Sequence, residues 1–276
     1  MCGSGKQAYL IAPKLFGSKL AKHTGEFLAE LKASAWKGAD DGPVRWQCSS
    51  LDDVEDAVLC LQHQKPVTSF VWHRKGDYFT TLCPLAGKNA IMIHQLSRGH
   101  SQSPFSKSLG SIQAVVFHPN KPFFFVATQR HVRVYNLMRQ ELHKCLLPGV
   151  KWISSMDIHP KGDNLIISSY DKKVCWFDMD LSLKPYKILR FEKHAVRHVA
   201  FHQKQPLFAT CSDDGRAHLF HGKVHSELTE NPDIFPIRIL NAHEQSQRLG
   251  VLSCQWHPTQ PWLFTSGADG KIHLYT

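Results

Sequence analysis

The sequence predicts an all-β protein: a β-propeller of about five four-stranded blades, preceded by a short helical N-terminal segment. Three observations carry this. An apolar run ending in an aromatic residue or Ile and then His recurs at nearly even spacing. Each period holds three or four short runs that alternate apolar and polar with a period of two, as half-buried strands do. The runs are separated by turns rich in Gly, Pro, Asn and Asp, which supply fixed or positive φ.

The repeat mark reads Val71-Trp72-His73, Val116-Phe117-His118, Asp157-Ile158-His159, Ala200-Phe201-His202 and Gln255-Trp256-His257. The steps are 45, 41, 43 and 55 residues. The excess in the last step falls in Val224–Phe235, a polar, Pro-containing stretch that a surface loop absorbs at little cost. After each His comes a turn, as in Arg74-Lys75-Gly76-Asp77 or Pro160-Lys161-Gly162-Asp163. A second apolar run follows: Tyr78–Leu82, Phe123–Ala127, Asn164–Ser168, Leu207–Thr210 and Trp262–Thr265. Small polar turns come next, clearest in Ser212-Asp213-Asp214-Gly215 and Gly267-Ala268-Asp269-Gly270; Asp-Gly between apolar runs is a strong hairpin signal. The third strands are Ala90–Ile93, Val132–Tyr135, Val174–Phe177, Ala217–Phe220 and Ile272–Tyr275. A more polar fourth strand closes most units, at Leu142–Leu147, Lys184–Leu189 and Pro236–Leu240. Four antiparallel strands per forty-odd residues is the arithmetic of a propeller blade, and the alternation of two excludes a helical solenoid of similar period.

The units run at about 66–110, 111–149, 150–191, 192–250 and 251–276, within a propeller region of residues 51–276. Residues 1–50 are expected to be an extension, partly helical or disordered, with Lys19–Trp36 read as an amphipathic helix. Residues 56–62 look like an outer strand. Pairing Val58–Leu61 with Lys271–Tyr275 would complete the last unit and close a ring; an open arc with exposed edges is the alternative.

The third strands resemble those of WD repeats, which end in Trp-Asp; Phe177-Asp178 is nearest, followed by Tyr135-Asn136 and Phe220-His221. In WD repeats an Asp in the turn before the third strand accepts a hydrogen bond from a His in the loop entering the blade. The resemblance puts Asp171, Asp214 and Asp269 in that structural role, with His194 as the candidate histidine. A closer resemblance covers about three-quarters of the chain, from residue 65 onward. Ile93-His94-Gln95-Leu96-Ser97-Arg98, Ser101-Gln102-Ser103-Pro104-Phe105, Lys151-Trp152-Ile153-Ser154-Ser155, Pro160-Lys161-Gly162-Asp163-Asn164 and Pro258-Thr259-Gln260-Pro261-Trp262 stand in the order found in the block-of-proliferation family. These are ribosome-biogenesis proteins of the nucleolus and nucleoplasm. The resemblance implies a non-enzymatic scaffold without cofactors, needed for maturation of the large-subunit precursor rRNA. It implies assembly with pescadillo and a second WD-repeat protein on the precursor of the large ribosomal subunit, with the propeller docking the WD-repeat partner. Pescadillo is bound by an N-terminal region of the family that residues 1–50 do not match. The family ring has seven blades, so five units are a partial set.

Composition agrees with a folded, basic chain. The 276 residues are 42% hydrophobic, and 33 Lys+Arg against 23 Asp+Glu give +10, which suggests an acidic partner such as nucleic acid. No apolar run reaches the ~20 residues of a membrane-crossing helix. Tyr9–Ala12, broken by Pro13, is too short for a secretory core. The eight cysteines form no C-x-x-C pair and read as reduced and buried, in a cytosolic or nuclear setting.

Four of the five turns after the repeated His carry a lysine: Lys75, Lys121, Lys161 and Lys204, with Arg74 beside the first. On one face of a propeller these make a basic arc suited to phosphate contact with pre-rRNA, though lysine is also at home in any solvated turn. Arg130, Lys172, Lys173, Lys193 and Arg197 fall in loops on the opposite face.

Other motifs lead nowhere chemical. His218, His221 and His225 have no Cys or carboxylate at metal spacing, and the first two point to opposite faces of a strand. Gly3-Ser4-Gly5-Lys6 lacks the rest of a P-loop. Ser103-Pro104 is a weak phosphosite signal. Ser169-x-Asp171 with Trp176 is superficially similar to the Asp-box of propeller hydrolases, but Lys173 stands where that box needs Gly, and no carboxylate pair can be placed. A general WD-repeat adaptor, in ubiquitin ligation or chromatin, is the competing reading.

Overall fold

A computed structural model describes residues 2–12, 42–50, 57–107, 110–225, 230–241 and 243–276. Two compact units divide the chain, residues 1–110 and 111–276. The first holds β1 (Cys2–Ser4), β2 (Gln7–Ala12), β3 (Val44–Ser50), β4 (Ala57–His63), β5 (Ser69–Trp72), β6 (Tyr78–Leu82), β7 (Ile91–Gln95) and β8 (His100–Gln102). They form two antiparallel sheets, ordered β1-β2-β4-β3 and β5-β6-β7-β8. Phe79, Leu59, Leu61 and Met92 are buried in its core.

The second unit carries four sheets. Strands β9 (Ile112–Phe117), β10 (Phe123–Thr128), β11 (Val132–Asn136) and β12 (Glu141–Leu146) form the first. Then come β13 (Ile153–Ile158), β14 (Asn164–Ser169), β15 (Val174–Asp178) and β16 (Lys187–Leu189), followed by β17 (Val196–Phe201), β18 (Leu207–Ser212), β19 (Arg216–Lys223) and β20 (Asp233–Asn241). The last sheet has three strands, β21 (Val251–Trp256), β22 (Leu263–Gly267) and β23 (Ile272–Tyr275). Each four-stranded sheet of this unit pairs its strands in chain order.

Burial follows the alternation. All six residues of β14 are buried, whereas half of β12 and seven of the nine residues of β20 are exposed, which explains why the fourth run of each period is the most polar. The second unit has three core clusters: one includes Phe125, Ile153 and Phe177, another Trp176, Phe208 and Phe220, and a third Ala209, Cys254 and Trp256. Trp176 is fully buried, and its indole N–H donates to Asn164 Oδ1 at 2.7 Å, so its one polar atom is satisfied. First strands are bonded to one another as well as packed. Asp157 Oδ2 accepts the Phe201 N–H (2.7 Å), joining β13 to β17, and Trp256 Nε1 donates to the Ala200 carbonyl (3.0 Å), joining β21 to β17.

One irregularity repeats. The pairing of each first strand with its second skips Gln113, Ser154, Arg197 and Leu252, one per sheet at the same place. These are β-bulges, which re-aim a side chain without ending the ladder.

The all-β class with blade-like sheets stands, but three expectations change. The described residues form six sheets rather than about five. The added one is built from residues 2–63, where an extension was expected, because β2 and β3 flank β4 from far away in the chain (Gln7↔Gln62, Val44↔His63). For the same reason β4 has no free edge for a ring-closing pairing: β2 and β3 take both within its own sheet. The stretch Val224–Phe235 is not all loop, since β20 begins inside it at Asp233 and pairs with the end of β19 (Gly222↔Ile234, Lys223↔Asp233). The helix expected at residues 19–36 lies outside the described residues.

Candidate RNA-contact turns and the histidines that set them

The histidine that marks each repeat also builds the turn after it. Its Nδ1 accepts backbone N–H groups two and three residues on. His73 takes Lys75 (3.2 Å), His118 takes Asn120 and Lys121 (3.0 and 2.8 Å), and His159 takes Lys161 (3.3 Å). His202 takes Lys204 and Gln205 (3.0 and 2.8 Å), and His257 takes Thr259 and Gln260 (3.3 and 3.0 Å). An accepting Nδ1 means the proton sits on Nε2. In His202 that proton points to the Gln260 carbonyl (2.9 Å), so one turn braces another. His118 lies so close to Gly162 that a Cβ there would meet its ring at 2.4 Å, and it bonds the Gly162 backbone.

The neutral ring is the form this arrangement needs. Burial holds His118 down to about 4, with the Lys121 charge adding and the Gly162 backbone opposing. Burial and then Lys161 bring His159 to about 4 as well.

Every predicted phosphate contact is exposed: Arg74 and Lys75 in the first unit, and Lys121, Lys161 and Lys204 in the second. Within the second unit the Lys121 and Lys161 turns touch, Asn120 Nδ2 donating to the Lys161 carbonyl at 3.5 Å. Lys161 Nζ reaches the Val224 carbonyl (3.4 Å), a bond that leaves its charge in place.

The predicted structural residues are distributed differently. His194 is exposed, and its expected partner Asp214 instead accepts the Arg216 N–H (3.0 Å). A buried carboxylate beside that sheet is Glu192, which bonds the Thr210 hydroxyl and pairs with His218 Nδ1 at 2.9 Å. The expected His–Asp contact occurs one sheet later, through a residue the sequence reading passed over. His243 Nδ1 meets Asp269 Oδ1 at 2.9 Å and its Nε2 meets Thr265 Oγ1 at 2.9 Å. Spacing was the available signal: His243 stands eight residues before β21, room for a loop to fold back, while His194 stands two before β17. Asp171 bonds the Ser169 hydroxyl and pairs with Lys173 (3.2 Å), and Asp178 accepts the Asp180 N–H (2.9 Å). His218, His221 and His225 go to separate places: to Glu192, to the Phe235 ring (4.8 Å between centroids), and to Glu230 and Asp233 (2.7 and 2.9 Å). His243, Asp269 and His273 are close enough to share an ion, but both nitrogens of His243 are already engaged.

Blade-like sheets, a capped turn in each repeat and a His–Asp–Thr tether define a WD-repeat protein. The family model "WD domain, G-beta repeat" matches residues 142–178, 184–221 and 235–276. Nearly the whole chain is also similar to proteins named ribosome biogenesis protein BOP1 homolog, with 48% identity to that of Drosophila melanogaster and 49% to that of Aedes aegypti, each over 99% of this chain. The Xenopus laevis ribosome biogenesis protein bop1-A is 53% identical over 85% of it. The chain is similar to these proteins along nearly its whole length, and spans about a third of the length of these curated relatives: 35%, 32% and 32%.

Proposed function

We propose that this chain is a non-enzymatic scaffold in ribosome biogenesis. It supports maturation of the large-subunit precursor rRNA and assembly of the large subunit in the nucleus, at the nucleolus and in the nucleoplasm. The observation that carries the reading is the likeness, along almost the entire chain, to proteins named for ribosome biogenesis. Its partners are a second WD-repeat protein of the pescadillo-containing complex and the large-subunit precursor particle. Contact with pescadillo itself is not assigned to these residues.

A scaffold suits the way the chemistry is spent. The repeat histidines cap turns, and the Glu192–His218 and His243–Asp269 pairs are consumed within the fold. The turn lysines supply the RNA contact. Each phosphate contact to single-stranded RNA adds about 0.7 to the slope of log affinity against log salt.

Two measurements test the proposal. In a sucrose gradient the chain co-sediments with large-subunit precursors; migration confined to the free-protein fractions refutes the scaffold. Changing Lys75, Lys121, Lys161 and Lys204 together to Ala lowers the salt slope for RNA by about 3. An unchanged slope removes the lysine turns from the RNA contact.

A further inference from the structure

The loop ends of the second unit opposite the lysine turns carry an aromatic and cationic row that none of the roles above uses. Trp152 is 43% exposed and Tyr170 36%, and their rings meet edge to face at 6.3 Å. Arg197 lies over the Tyr170 ring, 4.9 Å from its centroid. Trp, Tyr and Arg are the three residue types that most often dominate protein interfaces.

The row is held in place. Two of the bulged residues aim into it. Gln113 Oε1 accepts the Trp152 indole N–H (3.1 Å), and Arg197 makes two parallel bonds to Asp213 (2.8 Å each). Backbone bonds tie the loops beneath: Ile153 N to the Gln129 carbonyl (2.9 Å) and Tyr170 N to the Trp152 carbonyl (3.0 Å). Side chains ordered before binding lose little entropy on binding. An exposed Trp held this rigidly adds nothing obvious to the core.

The charge around it is uneven. Asp171 and Asp213 are engaged by Lys173 and Arg197. Lys151, Lys172 and Arg130 are exposed and have no ion pair among the described residues. Lys172 has a positive φ of 66°. The surface therefore offers apolar anchors with a cationic rim.

We propose that the Trp152–Tyr170–Arg197 row docks an acidic protein segment that carries an aromatic side chain. Its carboxylates meet the Lys151, Lys172 and Arg130 rim, and its aromatic side chain packs on Trp152. RNA fits less well. Successive bases need parallel rings to stack on, whereas these two stand at 66°, and one face of Tyr170 is already covered by Arg197. The inference rests on the scaffold reading and gives that scaffold a protein-facing surface distinct from its lysine turns.

The test uses the full chain and a fluorescein-labelled twelve-residue peptide of alternating Glu and Phe, with the Lys-for-Glu peptide as control. Anisotropy is read at increasing salt. Saturable binding is expected for the acidic peptide and not for the basic one. Trp152→Ala weakens it at least tenfold, and Lys151→Glu with Lys172→Glu weakens it severalfold and flattens its salt dependence. The four-lysine Ala variant binds the peptide as the parent does, so failure here is separable from failure of the RNA-contact reading. Circular dichroism melting checks that each variant is folded, and the charge reversal stands alone if Trp152→Ala is not. No saturable binding, or binding indifferent to both changes, overturns the proposal. Loss of oligouridine binding in Trp152→Ala, with no peptide bound by the parent, overturns it in favour of RNA.

Discussion

Gly162 and His118 give a sharp test of how the turns are built. Gly162 has φ of +91°, a region that L side chains rarely adopt, and a Cβ on it would lie 2.4 Å from His118 Cε1 and 2.5 Å from Nε2. Gly162→Ala therefore does two things. It imposes backbone strain of about 1 kcal/mol. It also displaces the His118 ring, whose Nδ1 holds the N–H groups of Asn120 and Lys121. Each of those bonds is worth about 1 kcal/mol, so the single substitution costs about 3 kcal/mol in all. His118→Ala alone removes the same two bonds and a ring that is 3% exposed. In that background the close contact with the His118 ring is gone, and the strain of about 1 kcal/mol remains. A double-mutant cycle by urea denaturation, followed by tryptophan fluorescence, should return a coupling of about 2 kcal/mol. If Gly162→Ala costs as much without His118 as with it, the close contact is not what constrains this turn.

Acidification should act through the same histidines. His118 and His159 are held near 4 against 6.5 when unfolded, so the stability they contribute is complete above pH 6.5 and is lost as pH falls toward 4. For buried His118 the limit is roughly 3 kcal/mol at ~1.4 kcal/mol per pH unit. Melting temperature from pH 7 to 4.5 should fall, and His118→Asn with His159→Asn should flatten the fall; an equal slope in both proteins refutes the assignment. The tether separates two histidines that look alike in sequence. Thr265→Val leaves a nitrogen of buried His243 unpaired and should cost about 1–2 kcal/mol in urea. His194→Ala should stay within about 0.5 kcal/mol, and the reverse ranking would put the tether in the wrong sheet.

Local pattern carried most of the fold. The third strand Val174–Asp178 and the run Asn164–Ser169 are legible because alternation and flanking turns lie within a dozen residues. The first sheet was not legible, since β2 has meaning only beside β4, some fifty residues on, and its own apolar patch is cut short by Pro13. His243 was missed for a related reason: its loop follows the longest hairpin of the chain, so counting from the repeat mark fails there, while His194 stood at a convenient but sterically short distance. The recurrence of the turn histidine was plain. Its capping role was not, because a period shows that a residue is required without showing which of its atoms is used. The aromatic row depends on bulges that put Gln113 and Arg197 beside rings from other strands, and alternation by two carries no trace of a bulge.

The capped turns also bear on why lysines stand in them. What His Nδ1 receives is a backbone N–H, which every residue but proline supplies. The turn after His257 proves the point within this chain: Thr259 and Gln260 fill the same positions, at 3.3 and 3.0 Å, with no lysine present. The fold thus requires the histidine and does not require a lysine in the turn after it, where Lys75, Lys121, Lys161, Lys204 and Thr259 are all exposed. Lysine recurs at four such positions where the fold asks for nothing. Solvation alone is satisfied by Thr259, and the remaining physical property that lysine adds is charge. Replacing all four with Thr therefore separates the two roles, leaving stability within about 0.5 kcal/mol per site while removing the cations that RNA phosphates would meet.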